Sequence, residues 1–189
     1  MDVTQFWSIL DTARNRAGGW EDMLSPLVTL LSELETNDLM IWARIFDEYH
    51  HLSYKEKLWA AAYIINGGCS DDGFDYFRGW LTAQGKDVYL SALNDPDSLA
   101  VVDACEGDVE FEDILGAAFD AYREKMKIQD ALTYDHYLAE LDKYPLPDQI
   151  RQEMISEINY ADGMDLDWDE DDEDSLSKLF PKLADAFDF

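Results

Sequence analysis

Within Asn66–Arg78, NGGCSDDGFDYFR, lie more kinds of chemically useful side chain than in any other stretch of the sequence. A glycine corner that feeds a helix N-terminus is the geometry that cradles phosphate, because free backbone N–H groups and the helix dipole both favour an anion. Here Asp71 and Asp72 occupy the first turn and would repel one. The same carboxylates suit a divalent cation, acid–base work, or a cationic group on a partner. The plain structural reading stands beside these: Gly67 and Gly68 end one helix, Ser70 and Asp71 cap the next, and Arg78 pairs with an acid inside it. Cys69 precedes the helix N-terminus, a place that can lower a thiol pKa, but two adjacent aspartates push the other way. No histidine base lies nearby in sequence, so an inert, semi-buried cysteine is expected.

Other candidates are weaker. His50 and His51 end an apolar helix and point about 100° apart there, a poor arrangement for chelating one metal. His136 and Cys105 have no chemical company in sequence. There is no C-x-x-C and no H-E-x-x-H, so a zinc site has no support and no cofactor is expected. Asp165, Asp167 and Asp169 alternate like the start of an EF-hand loop, yet Glu170 sits at the glycine position and Leu176 at the bidentate glutamate position. The run MDLDWDEDDED therefore reads as a solvated linker. Most of the tryptophans fall on or beside apolar faces and read as core. Trp168, isolated between Asp167 and Asp169, reads as a contact residue.

The elements that must position these groups are helical throughout. Residues 4–17, 22–35, 37–51 and 54–65 each carry apolar residues at helical spacing, with Thr4 and Thr36 as candidate N-caps. Asn66-Gly67-Gly68 predicts a left-handed stop. Ser70 caps a helix over 71–84 with Phe74, Phe77 and Leu81 on its apolar face and Trp80 beside it. A short helix over 87–93 follows. Asp95-Pro96 opens another over 96–105, Gly107 breaks the chain, and longer helices cover 111–127, 134–143 and 148–158. The spacing predicts an all-α, compact single-domain array of about nine or ten helices. Residues 1–161 form the helical body and 162–174 an acidic run. Residues 175–189 form an amphipathic helix that docks on the body through Leu176, Leu179, Phe180, Leu183 and Phe187.

A length of 189 residues with 47% hydrophobic content suits a globular domain with a real core. No stretch is long and apolar enough to span a membrane, and the N-terminus lacks the features of a signal peptide. Two cysteines make no disulfide framework, so a cytoplasmic location is expected. The net charge is −28, of which residues 162–174 contribute −9 and residues 1–161 contribute −19. Such a balance disfavours direct contact with nucleic acid or anionic lipid and steers basic partners in.

Three stretches, FWSILDTAR, LWAAAYIINGGCSDDGFDYFRGWLTAQGKDVYLSALNDPDSLA and DWDEDDEDSLSKLFPKLADAF, resemble a bacterial family known only as domain of unknown function 4240. The resemblance implies no activity, but it marks Ser70, Asp71, Asp72, Phe74, Phe77, Arg78 and Trp80 as the shared motif. The expected function is a non-catalytic acidic module that binds a basic protein, in its concrete form an immunity- or inhibitor-type protein covering a cationic toxin or nuclease. The alternative is an enzyme or small-ligand or metal-binding protein with its site around Cys69–Arg78. The expected contact residues are Ser70, Asp71, Asp72, Phe74, Arg78 and Trp80 with Asp167, Trp168 and Asp169.

Overall fold

A computed structural model describes residues 1–102, 109–127 and 133–189; Cys105 and Gly107 lie outside the described residues. Among the described residues the chain is all-α, with eleven α-helices, two 3-10 helices and no strand. They form two compact units, each drawn from separate stretches: residues 1–49 with 113–155, and residues 50–112 with 156–189.

The first unit holds α1 (Val3–Ala17), α2 (Leu24–Ser32), α3 (Thr36–Leu52, apart from its last turn), α7 (Ala117–Met126), α8 (Tyr134–Leu141) and most of α9 (Asp148–Glu157). Its core is aromatic. Phe6 packs 5.3 Å from Trp42 and 5.5 Å from Tyr49, and the Trp7 indole N–H donates to the Tyr49 hydroxyl at 3.3 Å. Cations close the helix ends where unpaired carbonyls collect. Arg44 donates to the Leu141 and Tyr144 carbonyls at the end of α8, and Lys125 Nζ reaches the Leu34 carbonyl at 2.6 Å. The cap of α1 is Asp2, not Thr4: its carboxylate accepts from the Gln5 N–H while the Gln5 side chain returns the bond. An acceptor with a glutamine three residues on is the better capping box, so Thr4 falls inside the helix.

The second unit holds α4 (Glu56–Asn66), α5 (Asp71–Ala83), α6 (Lys86–Asn94), the 3-10 helix η1 (Pro96–Val101), α10 (Glu173–Leu179) and α11 (Pro181–Ala186). The local signals acted where expected. Gly67 ends α4 with φ +65, a left-handed value that a side chain would strain. The Ser70 hydroxyl accepts from the Gly73 N–H at 3.1 Å to open α5, and the Asp95 carboxylate opens η1.

Three expected helices came out differently. The stretch read as 96–105 is a 3-10 helix that ends at Val101, and the one read as 111–127 begins as the 3-10 helix η2 (Glu112–Gly116) before α7. The C-terminal stretch splits at Phe180-Pro181, because proline cannot donate into the preceding turn and holds Phe180 out of helical conformation. Both short helices still bury apolar residues, with Leu176 and Phe180 2% exposed and Leu183 fully buried.

Candidate functional site

α5 is enclosed on nearly every side: Phe74, Phe77, Trp80 and Leu81 are fully buried and Arg78 is 3% exposed. A charge so deep must be paired and hydrogen-bonded. The Arg78 guanidinium donates to the Asp75 carboxylate and the His50 carbonyl, and its centre lies 4.8 Å from the Tyr54 ring and 5.0 Å from the Phe74 ring. His50 completes the cluster. Its Nε2 meets the Asp75 carbonyl at 3.0 Å, so that nitrogen carries the proton, and its Nδ1 then accepts from Arg78 at 3.1 Å.

Burial, and then the Arg78 charge, hold His50 below the ordinary histidine value near 6.5. Protonation of His50 therefore favours the unfolded chain. Its contribution to stability is fully present above pH 6.5 and is lost as pH falls through the lower folded value. Urea midpoints of the wild type should fall between pH 6.5 and 5, and His50→Gln should flatten that slope. A slope unchanged by the substitution would place the titration elsewhere.

The polar residues at the head of α5 face outward. Ser70, Asp71 and Asp72 are exposed, with Ser70 occupied as the cap. Phe74, Arg78 and Trp80 are interior and present no surface to a partner. Among the described residues no group of three or more histidine, cysteine, aspartate or glutamate side chains could hold a metal ion. Burial, and then the Glu110 charge, push the Cys69 thiol up to about 12, and the Trp59 N–H draws it back only in part. Cys69 should remain unmodified by iodoacetamide at pH 8 in the folded protein and react after urea unfolding, as read by peptide mapping. Rapid alkylation of the native protein would contradict that electrostatic picture.

The open surface of this unit lies beside Cys69. An acid and two aromatics, Glu56, Trp59 and Tyr63, follow i, i+3 and i+7 spacing along one face of α4, beside the residues that fill the core. Trp59 is fixed from behind: it stacks on Phe74 at 5.1 Å with planes 7° apart, and its Nε1 donates to the Cys69 carbonyl at 2.9 Å. The acidic run then folds back over this face. The Lys57 backbone N–H donates to the Met164 carbonyl at 2.9 Å, Lys57 Nζ to the Asp162 carbonyl at 2.7 Å, and Lys55 pairs with Asp165 at 2.9 Å. Met164 is buried as the apolar anchor of the run. Its backbone is thus pinned while Asp167, Asp169, Glu170 and Asp171 keep their carboxylates in solvent.

That fold-back sets Trp168 5.3 Å from Tyr63 and 6.5 Å from Trp59, with the two indole planes 66° apart. The result is an open groove of about 460 Å³ lined by Glu56, Trp59, Cys69, Trp168, Asp169 and Glu170. Of the residues singled out by sequence, Cys69, Trp168 and Asp169 line it, Ser70 adjoins it through Cys69, and Asp167 lies on the same run. Trp59, Glu56 and Glu170 were not singled out; the signal for the first two was the second, half-exposed stripe on α4 beside its core stripe, and Glu170 carries none beyond its place in the acidic run. A smaller cavity, about 120 Å³, lies in the first unit and includes Trp42, Phe119, Tyr134 and Tyr137 in its wall. That is well below the roughly 300 Å³ of ordinary ligand pockets.

A family model described as "Protein of unknown function (DUF4240)" matches residues 1–124. The match takes in the central motif and one wall of the groove, and ends before the acidic run that supplies the other. No curated protein and no solved structure matches the chain. No helix of the described residues is long and apolar enough to cross a membrane.

Proposed function

This chain belongs to the DUF4240 family, and we propose that it is an acidic module of the cytoplasm that binds a basic protein partner. The observation that carries the reading is the groove of the second unit. It combines two half-exposed tryptophans with three carboxylates and has no basic side chain in its lining. Tryptophan at the centre of a contact and charge at its rim are the pattern of a protein-binding hot spot. The net charge of −28 acts at longer range, raising the encounter rate with a cationic surface. In the concrete form proposed, the partner is a cationic toxin or nuclease whose nucleic-acid site this surface covers.

Less supports a reaction centre around Cys69–Arg78. Asp71 and Asp72 face solvent and, among the described residues, converge on no common point with other ligands, and the Cys69 thiol is held far from its reactive form.

Affinity capture on the tagged chain from its host lysate tests the reading, at low and at physiological salt. A parallel sample carries Asp167→Asn, Asp169→Asn, Glu170→Gln and Asp171→Asn. The expected result is a stoichiometric partner rich in lysine and arginine, held more weakly at higher salt and by the substituted chain. Recovery of only neutral or acidic proteins, or of none at either salt, would overturn it.

A further inference from the structure

We infer that the corner between Trp59 and Trp168 is a reading site for one arginine side chain of the partner protein, an inference that rests on the basic-partner reading above. Indole faces carry negative charge density and attract cations, most strongly where water is partly excluded. The two indoles meet at 66° with centroids 6.5 Å apart, so a planar group laid on one ring has its edge against the other. Glu56 borders the groove from α4, and Asp169 and Glu170 border it from the acidic run. A guanidinium is planar, weakly hydrated and forked, and it can stack on an indole while donating in parallel to a carboxylate. An ammonium is a compact, strongly hydrated point charge that neither stacks nor donates two parallel bonds to one carboxylate. A neutral aromatic guest would bury carboxylates without pairing them, and an anion would be repelled.

The second unit already holds an arginine this way. Arg78 has its guanidinium centre 4.8 Å from Tyr54 and 5.0 Å from Phe74 and donates to the Asp75 carboxylate. The groove repeats that combination at the surface with the cation to be supplied from outside. The nearest lysines in sequence are engaged: Lys55 with Asp165 and the Tyr160 ring, and Lys57 with the Asp162 carbonyl. The walls are also set in advance. Trp59 is fixed by Phe74 and the Cys69 carbonyl, and Trp168 by Tyr63 and the pinned backbone of the run. Preorganised walls spare the ordering that weakens flexible sites.

The test is a titration of the full chain with Ac-Gly-Arg-Gly-NH2 and its lysine and citrulline counterparts, followed by the indole N–H signals in 15N-correlated NMR spectra. The arginine peptide should shift the Trp59 and Trp168 signals saturably. The lysine peptide should bind several-fold more weakly, and the uncharged citrulline peptide should produce no saturable shift. Trp168→Ala, with folding verified by circular dichroism, should weaken the arginine peptide about tenfold or more. Glu170→Gln with Asp169→Asn should weaken it while preserving the fold. Equal responses to arginine and citrulline, no saturable shift, or undiminished binding by Trp168→Ala would each overturn the arginine site. The two levels separate cleanly. A captured basic partner indifferent to Trp168→Ala upholds the partner reading and sinks the corner. An arginine peptide that titrates the corner while capture recovers no basic protein upholds the corner and sinks the partner reading.

Discussion

Arg78→Ala is expected to destabilise the protein by about 3 kcal/mol, the range for truncating a large, fully packed side chain together with its hydrogen bonds; the Asp75 carboxylate it leaves behind is half exposed and can be solvated. Three losses combine. The His50 carbonyl loses its charged donor and keeps only the Ser53 hydroxyl, the Tyr54 and Phe74 rings lose the cation between them, and a cavity opens in a closely packed interior. Equilibrium unfolding in urea at pH 7 measures the sum. Arg78→Met separates the parts, because methionine restores much of the volume and none of the hydrogen bonds. A loss for Arg78→Met close to that for Arg78→Ala would assign the stability to the polar network, and near-complete recovery would assign it to packing. Removing the guanidinium should also raise the His50 pKa, since after burial the Arg78 charge is the largest influence that lowers it. A cost below about 1 kcal/mol for Arg78→Ala would mean that the cluster is not coupled to global folding.

Asp97→Ala should cost about 2–3 kcal/mol and loosen the C-terminal helices. Asp97 is 6% exposed, and its carboxylate accepts from the Lys182 N–H at 3.0 Å and the Leu183 N–H at 2.9 Å. These are the first N–H groups of α11, since Pro181 ahead of them has none to give. A capping role usually filled by the preceding residue is thus filled by a carboxylate 85 residues away in sequence. Phe180 is the residue that could have capped from within the chain, and it has no side-chain acceptor. Without Asp97 two N–H groups lose their acceptor, and Leu183 loses the bond that holds its backbone down. Limited trypsin digestion should then cleave faster after Lys178 and Lys182, with Asp97→Asn intermediate because one acceptor oxygen remains. Unchanged cleavage together with an unchanged urea midpoint would refute the assignment.

The Cys69 and His50 predictions probe the same neighbourhood from its two sides. One asks whether the residue next to the groove is chemically silent, the other whether the buried cluster beneath responds to mild acid. Together they distinguish an inert foundation from a reaction centre. Silence at Cys69 with a pH response confined to His50 fits a scaffold that positions Trp59 through Phe74.

The sequence by itself determined what depends on neighbours a few residues away. Helical periodicity gave the all-α class. Ser70 and Asp95 capped as their chemistry requires, and Gly67 stopped α4 in a left-handed conformation. Each of these is settled within one turn of backbone. Depth was not legible in the same way: Phe74, Arg78 and Trp80 share a motif with Ser70, Asp71 and Asp72, and only the packing around α5 decided that the first three are interior and the rest exposed. The charge of residues 162–174 was plain from composition, but composition predicts a solvated segment and says nothing of Lys57 bonding its backbone or Lys55 pairing with Asp165. The Lys55–Asp165 pair joins residues 110 apart in sequence, and Trp168 meets Trp59 over a similar separation. Tertiary structure alone decided that encounter, because pattern fixes which face of a helix is apolar, whereas long-range hydrogen bonds and buried anchors such as Met164 fix which segment covers it.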